Sequence, residues 1–498
     1  MNGQLSRSFE EKLGVKQGHI KSSDDYKIYL NPLMDAIDSA GLGVWVGPIN
    51  VGTSACADDV YVISDSQTKL QALLDIAAHY GAMYRVKYGA AKTIVTVVGS
   101  ACDIQYYREV MPWRLDGQKV KVSEDNEHLG QIVSGTDQEL KNVEARIEKG
   151  RKNLFGMLGA AFTYKCLLSP VVKYHLYKTY TCPIIRSGLS TFSLRSEKLQ
   201  ALTIFHRKTL RGILSLSKNA AIPAIHFLLG DLPIEAQIHR DVFSLFFSVW
   251  RNPNSKIHEI IKYLLQNSQK NSRTWSIHIK HLSEKYEIED PLKCLIRDPP
   301  EKSQYKELIK TKICAYYEKS LRLSAENNSR MTYLNVSLAG LRGRHHPALS
   351  GIIQTWEVKN ARIHLKMLSG DYLTFSIKAN QSGGSPNCRS CSPLEPQKEE
   401  IFHILAVCEK YSDIRKRMLP GFRMLCQQSL SKIDFEEISS DMNTLTQFIL
   451  DPSSLNLKVR VNVSDPILPS IFRLSRDYCN AIHTKRMNII KAKEQEQD

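Results

Sequence analysis

The 498-residue sequence contains no run of about 18 uninterrupted apolar residues, the length a helix needs to cross a bilayer. Its first ten residues, Met1 to Glu10, are polar and lack the apolar core of a secretory signal. These absences lead to the expectation of an intracellular protein, nuclear or cytoplasmic, with no membrane partner. Disulfide density is missing as well. Eleven cysteines is an odd number, and they are scattered through a large chain, so reduced thiols fit better than a disulfide scaffold. No internal repeat or low-complexity tract is found, which argues against a solenoid. Acidic residues are comparatively few, 51 against 67 Lys and Arg, giving a net charge of +16. That balance favours a polyanionic partner, because each phosphate neutralised releases condensed counterions. A merely soluble basic protein has the same composition, so the motifs must decide.

What is present reads in two parts. Up to about residue 135 the pattern is mixed α/β. In Asp24 to Ile37 the apolar residues Tyr26, Ile28, Tyr29, Leu30, Leu33, Met34 and Ile37 are spaced so that most share one helical face, and Gly41 and Gly43 then end the helix. Val44 to Val51 and Val60 to Ser64 read as the two strands of a hairpin around a small-residue, Asp-containing turn. Lys69 to Tyr80 is an amphipathic helix through Leu70, Leu73, Leu74 and Ala77, and Thr93 to Val98 is a further strand. From about residue 136 the chain reads as helix after helix, broken near Pro170, Pro183, Pro223, Pro233, Pro253 and Pro299-Pro300. Gln381 to Asn387 is a flexible connector, and Lys485 to Asp498 alternates charge without a core face, as a fraying terminus would.

Two constellations carry chemistry. Asp58 and Asp59 sit at the turn of the expected hairpin, where adjacent carboxylates repel unless solvent or a hard divalent cation neutralises them. Asp-Asp is also an ordinary solvated turn. The second constellation is Cys388-x2-Cys391-x11-His403-x4-Cys408. This spacing matches a closed, four-ligand structural Zn²⁺ site, with the first pair on a knuckle and His403 and Cys408 one helical turn apart on Ile401 to Tyr411.

The order Gly14-Val15-Lys16-Gln17-Gly18, then Asp58-Asp59, then Lys92-Thr93, then Leu129-Gly130 resembles the palm of the reverse transcriptases of non-LTR (LINE-type) retrotransposons. The resemblance implies that Gly14, Gln17 and Gly18 position template and nucleotide, with the glycines permitting close backbone approach. It implies that Asp58 and Asp59 hold Mg²⁺, that Lys92 opposes the triphosphate, and that Leu129 and Gly130 form the primer-grip turn. Cys56 stands where the family usually has Tyr or Phe. The region Glu399 to Cys408, with Arg415 and Arg417 behind it, is similar to the zinc-binding region that follows the polymerase in these elements, and residues 136 to about 250 resemble their thumb. Within that stretch Tyr174, Tyr177 and Lys178, and His206-Arg207-Lys208 with Arg211, form faces that fit either a phosphate backbone or aromatic core stripes with solvated cations. The basic loop Arg342 to His346 has the same two readings.

One departure qualifies the resemblance. The family's third carboxylate lies on a strand well upstream of the Gly-Val-x-Gln-Gly element, and only thirteen residues precede Gly14 here. Asp24 and Asp25 belong to the following helix and cannot replace it. The expectation is therefore an α+β chain: a partial polymerase palm, an antiparallel sheet with helices, over 1–135; a thumb-like helical region over 136–255; a helical connector over 256–380; a zinc-binding module over 381–430; and a helical tail over 431–498. The expected partners are an RNA template, a DNA primer or target, and dNTP. The expected function is that of an RNA-directed DNA polymerase fragment inactive by itself, with a non-catalytic RNA- or DNA-binding remnant as the alternative.

Overall fold

The computed structural model describes residues 20–89, 91–99, 103, 105–107, 113–158, 168–194, 196–269, 272–334, 336, 341, 343–391, 396–429, 433–454 and 466–495. It is α+β, mostly helical, with small and mainly antiparallel sheets. Two compact units divide the chain. One comprises the chain through Lys141 with Val249–Ile277 and Leu292–Arg297; the other comprises Asn142–Ser248, His278–Pro291 and Asp298–Asp498.

In the first unit, helix α1 (Ser22–Ser39) buries Leu30, Leu33 and Ile37, spaced i, i+3 and i+7, and Gly41 with φ +64° follows its end. Pro32 lies inside this helix but on its solvent face, where water can satisfy the carbonyl its missing N–H leaves free. Helix α2 (Gln67–Tyr84) starts at Ser66, whose hydroxyl accepts from the Lys69 N–H at 3.3 Å, and buries Leu73, Leu74, Ala77 and Tyr80. These side chains close a core with Val95, Trp113, Leu115 and Val120.

The strands differ from the expected single hairpin. Val44–Val46 (β1) pairs with Ile49–Val51 (β2) around Gly47-Pro48, and Thr53–Cys56 (β3) pairs with Asp59–Val62 (β4) around Ala57-Asp58. The segment Val44 to Val51 therefore folds on itself, because Gly47 takes φ +60° and Pro48 supplies a turn conformation. The two hairpins meet at Gly43 and Gly52, where a Cβ on Gly43 would lie 2.4 Å from the Gly52 Cα. Of Thr93 to Val98 only Ile94–Val95 (β5) joins a ladder, parallel to Lys121–Val122 (β8). Arg114–Leu115 (β6) pairs with Gln118–Lys119 (β7), and Asp125–His128 (β9) with Gln131–Ser134 (β10), so the ladders are all two-stranded among the described residues.

The second unit is helical, and two of its prolines mark helix beginnings. Pro170 and Pro223 occupy the first turns of their helices, where the absent N–H has no partner to lose, whereas Pro183 breaks no helix: Cys182–Arg186 continues directly from the π turn Tyr177–Thr181. Of the expected frayed end Lys485 to Asp498, the last three residues lie outside the described residues, and the rest departs from expectation: one helix runs over Leu468–Gln495 and buries Arg486 and Ile490. Its apolar face, with Ile471, Phe472, Tyr478 and Ile482, packs into a core shared with Leu365 and Leu368 of the Thr355–Leu368 helix. Residue 485 onward reads as solvated charge because the partner that neutralises Arg486 is far away in sequence.

Several histidines are enclosed in this unit. Tyr177 Oη and His206 Nδ1 are 2.7 Å apart, His226 Nδ1 lies 2.9 Å from the Asp231 carbonyl, and Lys178 is ion-paired with the buried Asp231 carboxylate. Burial pushes His206 and His239 down to about 3, and His226, His278 and His364 down to about 4. Between those folded values and the ordinary 6.5 the unfolded chain binds more protons than the folded one, so stability falls as pH falls through this window. Urea melts at successive pH values below 6.5 are expected to lose about 1 kcal/mol per histidine per pH unit, flattening near the folded values. A midpoint unchanged between pH 7 and 5 would contradict the buried, neutral assignment.

Candidate metal centre and the acidic hairpin

Cys388, Cys391, His403 and Cys408 converge, with one ligand atom from each lying within 4.8 Å of the others. Cys391 Sγ is 3.7 Å from Cys408 Sγ and 3.2 Å from His403 Nε2. Tetrahedral zinc with Zn–S bonds of about 2.3 Å places two sulfurs roughly 3.7 Å apart, so the sulfur spacing fits. Cys388, His403 and Cys408 are buried and Cys391 is half-buried. Thiolate and imidazole donors of this kind can hold a metal such as zinc, and four protein ligands leave no open position for substrate.

The ligands are placed by two local devices. On the first side, the Cys388 N–H donates to the Gln397 carbonyl at 2.7 Å and the Cys391 N–H to the Cys388 carbonyl at 3.3 Å, beside an antiparallel bridge between Asn387 and Lys398. On the second side, His403 and Cys408 are one helical turn apart, as the spacing suggested, but the turn is π-helical. His403–Val407 closes with a Cys408 N–H to His403 carbonyl bond of 2.8 Å. In an α-helix five residues advance roughly 140° past a full turn and separate the two side chains; the wider i to i+5 turn brings them back to one face. Arg415 donates to the Cys408 carbonyl at 2.7 Å, which satisfies the end of that turn.

The thiols also influence one another. Hydrogen bonding from Cys408, against the opposing effect of burial, and from His403 holds the Cys388 thiol below its usual range, and Cys408 is raised by the same pairing with Cys388 and by burial.

Glu399, buried immediately after the bridge, anchors this segment. Its carboxylate receives Arg486 Nη2 at 2.6 Å and Nε at 3.3 Å, and the Phe375 N–H at 2.8 Å. The Arg486 guanidinium also lies over the rings of Tyr372 and Phe375.

Asp58 and Asp59 stand at the exposed tip of the β3–β4 hairpin, Asp58 in the turn and Asp59 opposite Cys56. Among the described residues they make no ion pair or side-chain hydrogen bond, and no third carboxylate, His or Cys joins them in a metal-sized cluster. Tyr26 of α1 lies close enough to Asp58 that, after burial, the Asp58 charge helps raise its hydroxyl above the usual range. Leu129 and Gly130 form the tip of the β9–β10 hairpin with φ of +49° and +75°, the paired positive angles of a tight two-residue turn. The structure links these two hairpins through Tyr61 of β4 and His128 of β9, whose rings are 5.0 Å apart between centroids. Sequence reading missed that contact, and nothing in the spacing signals it. Lys92 lies in an exposed turn whose N–H bonds the Gly89 carbonyl, and no described contact joins it to either aspartate. Gly14, Gln17 and Gly18 lie outside the described residues.

The other basic faces resolve mostly into core. Tyr174, Tyr177 and His206 are buried, Arg211 donates to the Ala220 carbonyl at 2.9 Å, and Lys208 remains exposed. In the loop ending at His346, His345 bonds the Leu229 carbonyl and His346 is buried 3.3 Å from Asp451; Arg342 lies outside the described residues. No described helix is long and apolar enough to cross a membrane. No protein-family model and no curated protein matches the chain.

Purification without chelator is expected to yield about one Zn²⁺ per chain, and Cys391→Ser to lower that content together with the thermal midpoint, since metal binding contributes folding free energy. Metal analysis finding no zinc would remove the centre. Glu399→Ala is expected to cost about 3–5 kcal/mol in denaturant melts, because it leaves the Arg486 charge buried without its partner. A loss below about 1 kcal/mol would show that this pair is not what anchors the segment.

Proposed function

We propose that the chain derives from an RNA-directed DNA polymerase of the non-LTR retrotransposon type and handles RNA and DNA by binding rather than by polymerising alone. The observation that supports this reading is the ring contact between Tyr61 and His128, which joins the hairpin bearing Asp58 and Asp59 to the hairpin bearing Leu129 and Gly130. These are the two hairpins whose order in the sequence resembles the catalytic and primer-grip elements of that family. The fit to Mg²⁺ is partial. Two open, adjacent carboxylates suit a hard cation that also touches phosphate, and no third ligand stands near them among the described residues. Bound there, Mg²⁺ would neutralise phosphate charge, for which Asp58 and Asp59 supply the protein oxygens. A displacement that normally needs a complete ligand set is not assigned to this chain. The Cys3His cluster, holding zinc, scaffolds the nucleic-acid-binding surface in this reading, and the net charge of +16 supports a phosphate-bearing partner.

Two measurements on the purified, zinc-loaded chain test the proposal. Binding to an RNA–DNA primer–template is expected to weaken linearly in log–log form with salt, each phosphate contact contributing a slope of about −0.9. Extension of the same primer with Mg²⁺ and dNTPs is expected to be absent. Binding that ignores salt would remove the nucleic-acid reading. Extension abolished by Asp58→Ala would instead show a working polymerase.

A further inference from the structure

We propose that the groove beside the Cys3His cluster docks an acidic peptide segment carrying apolar anchor residues. The cavity, with a volume of about 400 Å³, is lined by the Ser412–Gln428 helix and by the short helices Phe435–Ser440 and Met442–Leu450. Leu419, Phe435, Met442 and Leu445 line it, and Met442 is 41% exposed although it faces an apolar neighbourhood. Arg415, Lys416 and Arg423 line the same cavity.

The state of these cations says what is missing. Arg415 is directed to the carbonyls of Val407 and Cys408. Arg423 is paired with Glu436 at 2.6 Å, but both side chains are more than half exposed, so an incoming carboxylate can exchange with Glu436. Lys416 is exposed and has no ion pair among the described residues. An occupant that satisfies the groove therefore brings a carboxylate for Lys416 and at least one large apolar side chain for the methionine and leucine floor.

An amphipathic acidic helix supplies both from one face, with anchors at i, i+3 or i+4. The cavity has room for one or two leucine-sized side chains, and the unbranched methionine can adapt to them. A nucleic-acid duplex would satisfy the cations but would lay charged phosphate and sugar against Met442 and Leu419, so the combination of charge and apolar floor favours the peptide.

Fluorescence anisotropy of the full zinc-loaded chain with a labelled amphipathic peptide of about 15 residues, Glu-rich with leucine anchors, tests this. Saturable binding in the micromolar range is expected. It should weaken by on the order of tenfold in Lys416→Glu and again in Met442→Glu. Lys208→Glu, an exposed charge away from the groove, should leave it unchanged. Both groove positions are exposed, and zinc content and thermal midpoints equal to those of the parent chain establish that the variants fold. The proposal fails if no saturation is reached, if a peptide with serine in place of leucine binds equally well, or if both groove variants bind the peptide normally. It also fails if an oligonucleotide of equal charge displaces the peptide and suffers the same losses in both variants, which would make the groove a nucleic-acid track.

Discussion

The metal-ligand segment depends on one buried carboxylate. Glu399 holds the Arg486 guanidinium with two hydrogen bonds and a backbone N–H besides, and in doing so fastens the chain just after the Asn387–Lys398 bridge to the C-terminal helix. Burial works against the charge on Arg486, and Glu399 more than restores it, holding the guanidinium above its usual range. A buried pair of this kind is weak grounds for net stability but strong grounds for placement, because a shifted geometry would strand two charges away from water. Cys388 and Cys391 lie on one side of this anchor and His403 and Cys408 on the other, so the convergence of the four ligands follows from it.

The second unit shows the same economy elsewhere. The Asp231 carboxylate is enclosed with Lys178, His206 and Gln237 around it, and Asp451 is enclosed with His346 and Ser453. Polar groups that sequence reading assigns with equal ease to a nucleic-acid face are here internal partners, which explains why Tyr174, Tyr177 and His206 are absent from the surface. The cations around the cavity by Lys416 and Arg423 sit over apolar side chains, a different chemistry from a phosphate track.

The first unit is built from short ladders held by helices α1 and α2. Two of its hairpins, one with an acidic tip and one with a tight turn, touch through Tyr61 and His128. The proposal of a polymerase-derived, nucleic-acid-binding chain rests on that meeting. The absence of a nearby third carboxylate among the described residues is what separates binding from turnover in it.

Much was legible in the residues themselves. The i, i+3, i+7 spacing of Leu30, Leu33 and Ile37 located α1, breaks near Pro170 and Pro223 fell at helix starts, and Cys388-x2-Cys391-x11-His403-x4-Cys408 located the candidate metal cluster, because each rests on local geometry or on donor chemistry that a few adjacent residues carry. The double hairpin was less legible: Gly47-Pro48 and Ala57-Asp58 are both turn signals, and only the pairing of Val44 with Val51 and Thr53 with Val62 decides between one hairpin and two. The π turn between His403 and Cys408, the burial of Arg486 within an apparently solvated terminus and the contact of Tyr61 with His128 were not legible at all. Periodicity reports which face of an element is apolar, but the partner of a charge or a ring is set by residues tens of positions away, and only the packed chain brings them within a few ångströms.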